Sequence, residues 1–403
     1  MACAVALLLL QDGVASSRQS APTNPLTDHA QAFLARRARL RPGELVLIIS
    51  DRSTDPPVRS AFADAVRKAG ATVYELVLQG EPGTTNALEI ARRMRFRRWY
   101  PDWVWKVAEQ CDVALVMTTL GGSHVGRNPE LPLTRIIEVP FARREQLADP
   151  MALGNYPEDI LATIARVAWK QMFGARRVEL TDPEGTTLTW TLDAKAWGEV
   201  KNLDPARNAT HVALPAPYRA LHPDMRGTIV ASSTQSGPLP RLALTVKDGR
   251  VVAIKGGEFV ADHLKKLFAG SASVQFPSFP APGSNWVEET ALGTHPRHAR
   301  VPHAETFGWS AGMSGWSGAP RAGVFHVAIG TSNSGRNSPF AREHGLEIQH
   351  LDLELYSPTL VMDGRTIIAR GHLAALDDPE VKRVATKYGN PDDLLRVTWV
   401  PTR

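Results

Sequence analysis

The hydrophobic pattern of this chain changes period once, directly after Phe173-Gly174, and the change divides what its two halves can fold into. Ahead of it, short apolar runs alternate with helix-spaced segments. Residues 45–49 (LVLII) are apolar without interruption, as a strand is when both of its faces are covered. Residues 72–78, 113–117 and 136–139 read as further strands. Helical spacing fills 30–40, 57–69 (ended by Gly70), 87–97, 102–110 and 159–172. Strands alternating with helices predict βαβ units on a parallel sheet. Beyond the change, the segments 177–180, 186–192, 228–232, 242–246 and 251–255 read as strands, with period-two alternation at the start, and a helix is predicted over 260–268. Asp248-Gly249 between two apolar runs is a strong hairpin signal. The expected fold is an α/β N-terminal domain over 30–175, followed by an α+β, mainly antiparallel C-terminal domain over 176–403.

Composition narrows the function classes. At 403 residues, 43% hydrophobic and 22% charged, each half can bury its own core. The net charge of +5 gathers locally, in Arg36-Arg37-Ala38-Arg39 and in the arginine-rich run 92–98. Without a nucleic-acid motif beside them, these runs read as solvated helix faces, and no nucleic-acid partner is expected. Two cysteines, Cys3 and Cys111, exclude a disulfide framework and a cysteine-rich zinc site, and fit a reducing cytoplasm. Residues 2–10 (ACAVALLLL) have the apolar centre of a signal peptide but no preceding Lys or Arg, and are too short to span a bilayer. A mis-chosen start and true export both stay open, and residues 1–29 are read as a tether or signal-like segment. No membrane partner is expected.

Any metal must then be held by histidines and carboxylates. Seven of the twelve histidines lie between His295 and His372. His350-Leu351-Asp352 places two donors at i and i+2, on one face of a strand. His326 opens the apolar strand 326–330 (HVAIG), followed by a polar loop. Glu288 and Glu289 precede a Gly-containing turn that could carry a carboxylate toward the other two segments.

In order and spacing, ETALGTHP (289–296), HVAIG (326–330), HLD (350–352), PT (358–359), DG (363–364) and II (367–368) resemble the metallo-aminopeptidase family typified by thermophilic aminopeptidase T. Residues 40–78 are similar to that family's opening βαβ unit. The resemblance implies Glu289, His326, His350 and Asp352 as metal ligands, and a homodimer. Two positions depart from it: Tyr218 stands where the family has a further ligand glutamate, and Asn333 where it has a tyrosine. Two adjacent ions need several carboxylates, so the loss points to a single divalent ion. The 2,5-dihydroxypyridine dioxygenases resemble the same family and hold one Fe(II) through two histidines and an aspartate. Their last two ligands match His350 and Asp352, their first histidine falls on Glu289, and His326 has no counterpart there.

Three readings follow. The first is a hydrolase of a peptide or amide bond in a small-molecule or short-peptide substrate, using Zn²⁺, Mn²⁺ or Co²⁺, with Glu288, Glu354, His295 or His344 as candidate general base. The second is a ring-cleaving dioxygenase using Fe(II), with the aromatic run 307–316 lining a flat pocket. The third is a binding protein whose site has decayed, with the Gly121-Gly122 loop left to hold a ligand. That loop lacks the G-x-G-x-x-G arrangement, which argues against a dinucleotide. Substrate choice is expected to lie in the loops 205–226 and 303–320.

Overall fold

The computed structural model describes residues 25–51, 54–78, 102–117, 134–139, 144–148, 156–192, 197, 211–213, 222–234, 237–297, 321–331, 337–346 and 350–397. Its first part contains α1 (Pro25–Arg37), β1 (Leu45–Asp51), α2 (Pro56–Lys68), β2 (Thr72–Leu78), α3 (Asp102–Ala108), β3 (Val113–Val116), β4 (Arg135–Glu138) and α4 (Arg144–Ala148). The strands form one sheet in the order β2-β1-β3-β4, parallel throughout. Burial on both faces of β1 explains why residues 46–49 are apolar without interruption. Val46 and Ile48 pack with α1 and α2 on one face, while Leu47 and Ile49 pack with Val104 and Ala108 of α3 on the other. Full burial of each such side chain contributes about 1.5–3 kcal/mol.

The starts of α1 and α2 differ from expectation. α1 begins at Pro25, so the last residues assigned to the tether are helical; Leu26 and Thr27 are buried there, which the polar surroundings of 11–30 concealed. α2 starts on Pro56-Pro57, where a missing N–H is harmless, and Gly70 follows it with φ +78. The helix predicted over 87–97 lies outside the described residues.

Among the described residues, the second part is a sheet of twelve strands. It contains β5 (Arg177–Thr181), β6 (Thr187–Thr191), β7 (His211–Ala213), β8 (Arg226–Thr234), β9 (Gly237–Lys247), β10 (Arg250–Gly256), β11 (Val287–Gly293), β12 (Phe325–Gly330), β13 (His350–Leu355), β14 (Thr359–Met362), β15 (Arg365–Ala369) and β16 (His372–Leu373). The main path runs β16-β15-β14-β5-β6-β8-β13-β12-β11-β7, with β9 and β10 added beside β8, and every pairing is antiparallel. The β9–β10 hairpin turns on Asp248 (φ +52) and Gly249 (φ +72). Two consecutive positive φ values are what a two-residue hairpin of this hand requires.

α5 (Glu158–Met172) precedes the period change, yet Ile160, Leu161, Ile164 and Ala168 belong to the core of the second part. It packs on α8 (Pro379–Ala385), where Arg166 donates to both Glu380 oxygens at 3.0 and 2.8 Å. The remaining α-helices among the described residues are α6 (Glu258–Ser271), α7 (Asn337–Glu343) and α9 (Pro391–Leu394). Among the described residues no helix is long and apolar enough to cross a membrane, and Cys111 is a free thiol.

Candidate metal centre

β11, β12 and β13 are neighbours, and their register brings the candidate ligands to one place. Ala328 of β12 faces Glu289 on one side and Asp352 on the other, His326 faces Ala291 and Glu354, and Gly330 faces His350. Alternation puts His350, Asp352 and Glu354 on one face of β13, beside His326 and Ala328 of β12. Ala328, fully buried between Glu289 and Asp352 in the register, places only a methyl at that position.

A turn was expected after Glu289. The chain instead stays extended to Gly293, because residues 291–293 pair with β12 on one edge and with β7 on the other. The register shifts once, between Val287 (opposite Ile329) and Glu289 (opposite Ala328), which leaves Glu288 as the extra residue of a β-bulge. A bulge re-aims side chains out of strict alternation. Both adjacent glutamates thereby reach one ring: His350 Nδ1 lies 2.8 Å from Glu288 Oε1, and its Nε2 lies 3.8 Å from Glu289 Oε2. Glu289 Oε1 is 3.5 Å from His326 Nε2, and Asp352 Oδ1 is 2.8 Å from His350 Nε2.

These spacings bear on whether the four residues suit a metal. Two donors bound to one ion at about 2.1 Å stand roughly 3.0 Å apart at octahedral angles and roughly 3.4 Å apart at tetrahedral ones. The observed 2.8, 3.5 and 3.8 Å straddle that range. Two imidazoles with carboxylates suit Zn²⁺, Mn²⁺, Co²⁺ or Fe(II) in hardness. The donors lie against one another, however, and among the described residues no three His, Cys, Asp or Glu side chains stand as a finished metal cage. The donor set fits one ion once the contact between Asp352 and His350 opens.

Charge points the same way. Glu288, His326, His350, Asp352 and Glu354 are all buried, and only Glu289 is partly open, its side chain 18% exposed. Burial opposes protonation of His350, but the charges of Asp352 and Glu288 and their hydrogen bonds hold its pKa well above the usual imidazole value. His326 is raised too: burial works against it, and the Glu289 hydrogen bond with the charges of Asp352, Glu289 and Glu354 prevails. Burial pushes Asp352 up, yet the His350 charge and hydrogen bond, with the His326 charge, leave it below the ordinary carboxylate range. Among the described residues, four carboxylates and two imidazoles make up this cluster, a set of donors that suits a divalent cation.

The other candidates separate. Glu288 belongs to the cluster. Glu354 does as well, accepting from Tyr356 Oη at 2.9 Å and from Ser233 Oγ at 3.4 Å; its i+2 spacing from Asp352 was the signal that it shares the ligand face. His295 lies beyond the Gly293 end of β11, fully buried against Tyr156 (ring centroids 5.1 Å), and its Nδ1 accepts from the Arg297 amide at 3.1 Å. His344 is exposed after α7, its Nδ1 2.8 Å from the Phe340 carbonyl oxygen and its ring stacked on Phe340. Residues 307–316, Gly121-Gly122, Tyr218 and Asn333 lie outside the described residues. The bulge had no signature in the sequence, so Glu288 and Glu289 could not both be assigned inward from alternation.

No family model and no curated protein matches the chain. Among solved structures, its fold is similar to that of 2,5-dihydroxypyridine dioxygenase from Pseudomonas putida KT2440. The TM-score is 0.51 at 17% identity, over 89% of this chain and 99% of that one. Wild-type AmpT from Thermus thermophilus gives a TM-score of 0.48 at 14% identity, over 87% of this chain and 99% of its own. At such identities the likeness is one of fold.

Proposed function

We propose that this chain is a metalloenzyme in which Glu289, His326, His350 and Asp352 hold one divalent ion, and that it hydrolyses a peptide or amide bond. The observation that carries the reading is the Glu289 carboxylate, whose two oxygens lie 3.5 and 3.8 Å from the Nε2 atoms of His326 and His350. A single side chain thus joins the two imidazoles that are 24 residues apart in sequence. The order and spacing of the motifs around these residues support hydrolysis. Such an ion supplies Lewis-acid polarisation of a carbonyl and acidification of water. The protein's own part is to fix the donors on three paired strands and to keep the cluster largely buried, where electrostatic interactions are least screened. Glu354, anchored by Tyr356 and Ser233, is the carboxylate on the same face that is left over for proton transfer.

A second reading, ring opening by a dioxygenase, is supported by the same donors, which also suit Fe(II), and by the fold neighbour at TM-score 0.51. Elemental analysis of freshly purified protein, followed by leucine-anilide and oxygen-electrode assays, separates the two. Zinc, manganese or cobalt with anilide turnover supports hydrolysis, and iron with O₂ consumption supports ring cleavage. Protein with no bound metal, and none taken up on titration, refutes both.

A further inference from the structure

We infer that Glu288 is a positioning residue for His350. This rests on reading the cluster as a cation site. His350 Nδ1 lies 2.8 Å from Glu288 Oε1, and both side chains are buried, 3% and 5% exposed. An ionised carboxylate only accepts, so Nδ1 carries the hydrogen of this bond. Nε2, turned toward Asp352 and Glu289 at 2.8 and 3.8 Å, shares its hydrogen with Asp352, and it is this proton that an ion would displace while Glu288 keeps the one on Nδ1. Glu288 therefore selects both the tautomer and the ring orientation that ligation needs, the general service of a carboxylate behind a metal-bound histidine.

The backbone is arranged to deliver it. Strict alternation would send Glu288 to the face opposite Glu289; the bulge between Val287 and Glu289 brings it back to the same ring. Glu288 thus acts through His350 and does not itself reach substrate, which removes it from the candidates for general base.

The test is Co²⁺ titration of the full chain by visible absorption and chelator competition, with two conservative substitutions. Glu288→Gln keeps an acceptor at the same reach without charge. Glu288→Asp keeps the charge but withdraws the acceptor by one methylene. Positioning predicts that Glu288→Asp weakens Co²⁺ binding about 10–100-fold and alters the absorption band, while Glu288→Gln stays within about fivefold of wild type with the band unchanged. Wild-type affinity in Glu288→Asp overturns the inference, as does the reverse order of the two variants, which would make the charge decisive. A wild-type chain that takes up no Co²⁺ overturns the cation site itself, and the inference with it.

Discussion

Glu289 offers one oxygen to each of two imidazoles, and His350 takes a carboxylate on each of its nitrogens, so the cluster is a connected chain of pairs whose members lean on one another. Removing one member of a buried ion pair costs about 3–5 kcal/mol because its partner is left charged and alone. His350→Ala strands Glu288 and Asp352 together and is expected to lose both metal uptake and turnover, with a fall in stability of that order. Elemental analysis and urea unfolding of the same preparation check this. A variant that still binds metal at the wild-type stoichiometry would remove His350 from the site. Ala328→Leu makes a different demand. The added side chain occupies the space between Glu289 and Asp352 while leaving every donor in place, so metal affinity should fall by at least tenfold though no ligand is missing. Titration with Mn²⁺ or Zn²⁺ reads the effect, and unchanged affinity would show that the ion does not sit over Ala328.

The elements differ in how much of them could be read in advance. β1 was legible because Val46 to Ile49 enter two cores in alternation, and an uninterrupted apolar run has few other destinations. The His350–Asp352 spacing was legible because alternation is a property of a single strand. The β11 bulge was not, since a register shift exists only between two strands and neither carries it alone. The turn leading into β12 shows the same dependence. Gly323 has φ +84, and a Cβ there would overlap the backbone carbonyl oxygen of Gly371, 48 positions away in the chain. Gly323→Ala must therefore push apart the segments that seat His326. The expected result is a loss of several kcal/mol, on the scale of strained left-handed positions and overpacked cores, measured as a lowered denaturation midpoint. A neutral outcome would mean that this turn has room to relax.

At the scale of the whole molecule, the second core also holds a group whose titration opposes the fold. His222 is fully buried, with its Nε2 3.2 Å from Thr290 Oγ1 and its ring 5.5 Å from that of Trp190. Burial pushes its pKa down to about 3, against a smaller opposing pull from Asp224. An unfolded histidine titrates near 6.5. Between those two values the unfolded chain binds a proton that the folded chain refuses. This contribution is absent above about pH 6.5 and grows as the pH falls toward 3, lowering stability by up to about 1.4 kcal/mol per pH unit. The raised His350 and His326 work in the opposite sense, stabilising the fold at low pH and losing that contribution as the pH rises, so a wild-type curve alone mixes the terms. His222→Gln removes one of them and keeps a partner for Thr290. Its stability relative to wild type should rise steadily between pH 6 and pH 4 in paired urea titrations. A constant difference between the two proteins across that window would mean that His222 is protonated inside the folded chain, and that the core around Trp190 admits a charge.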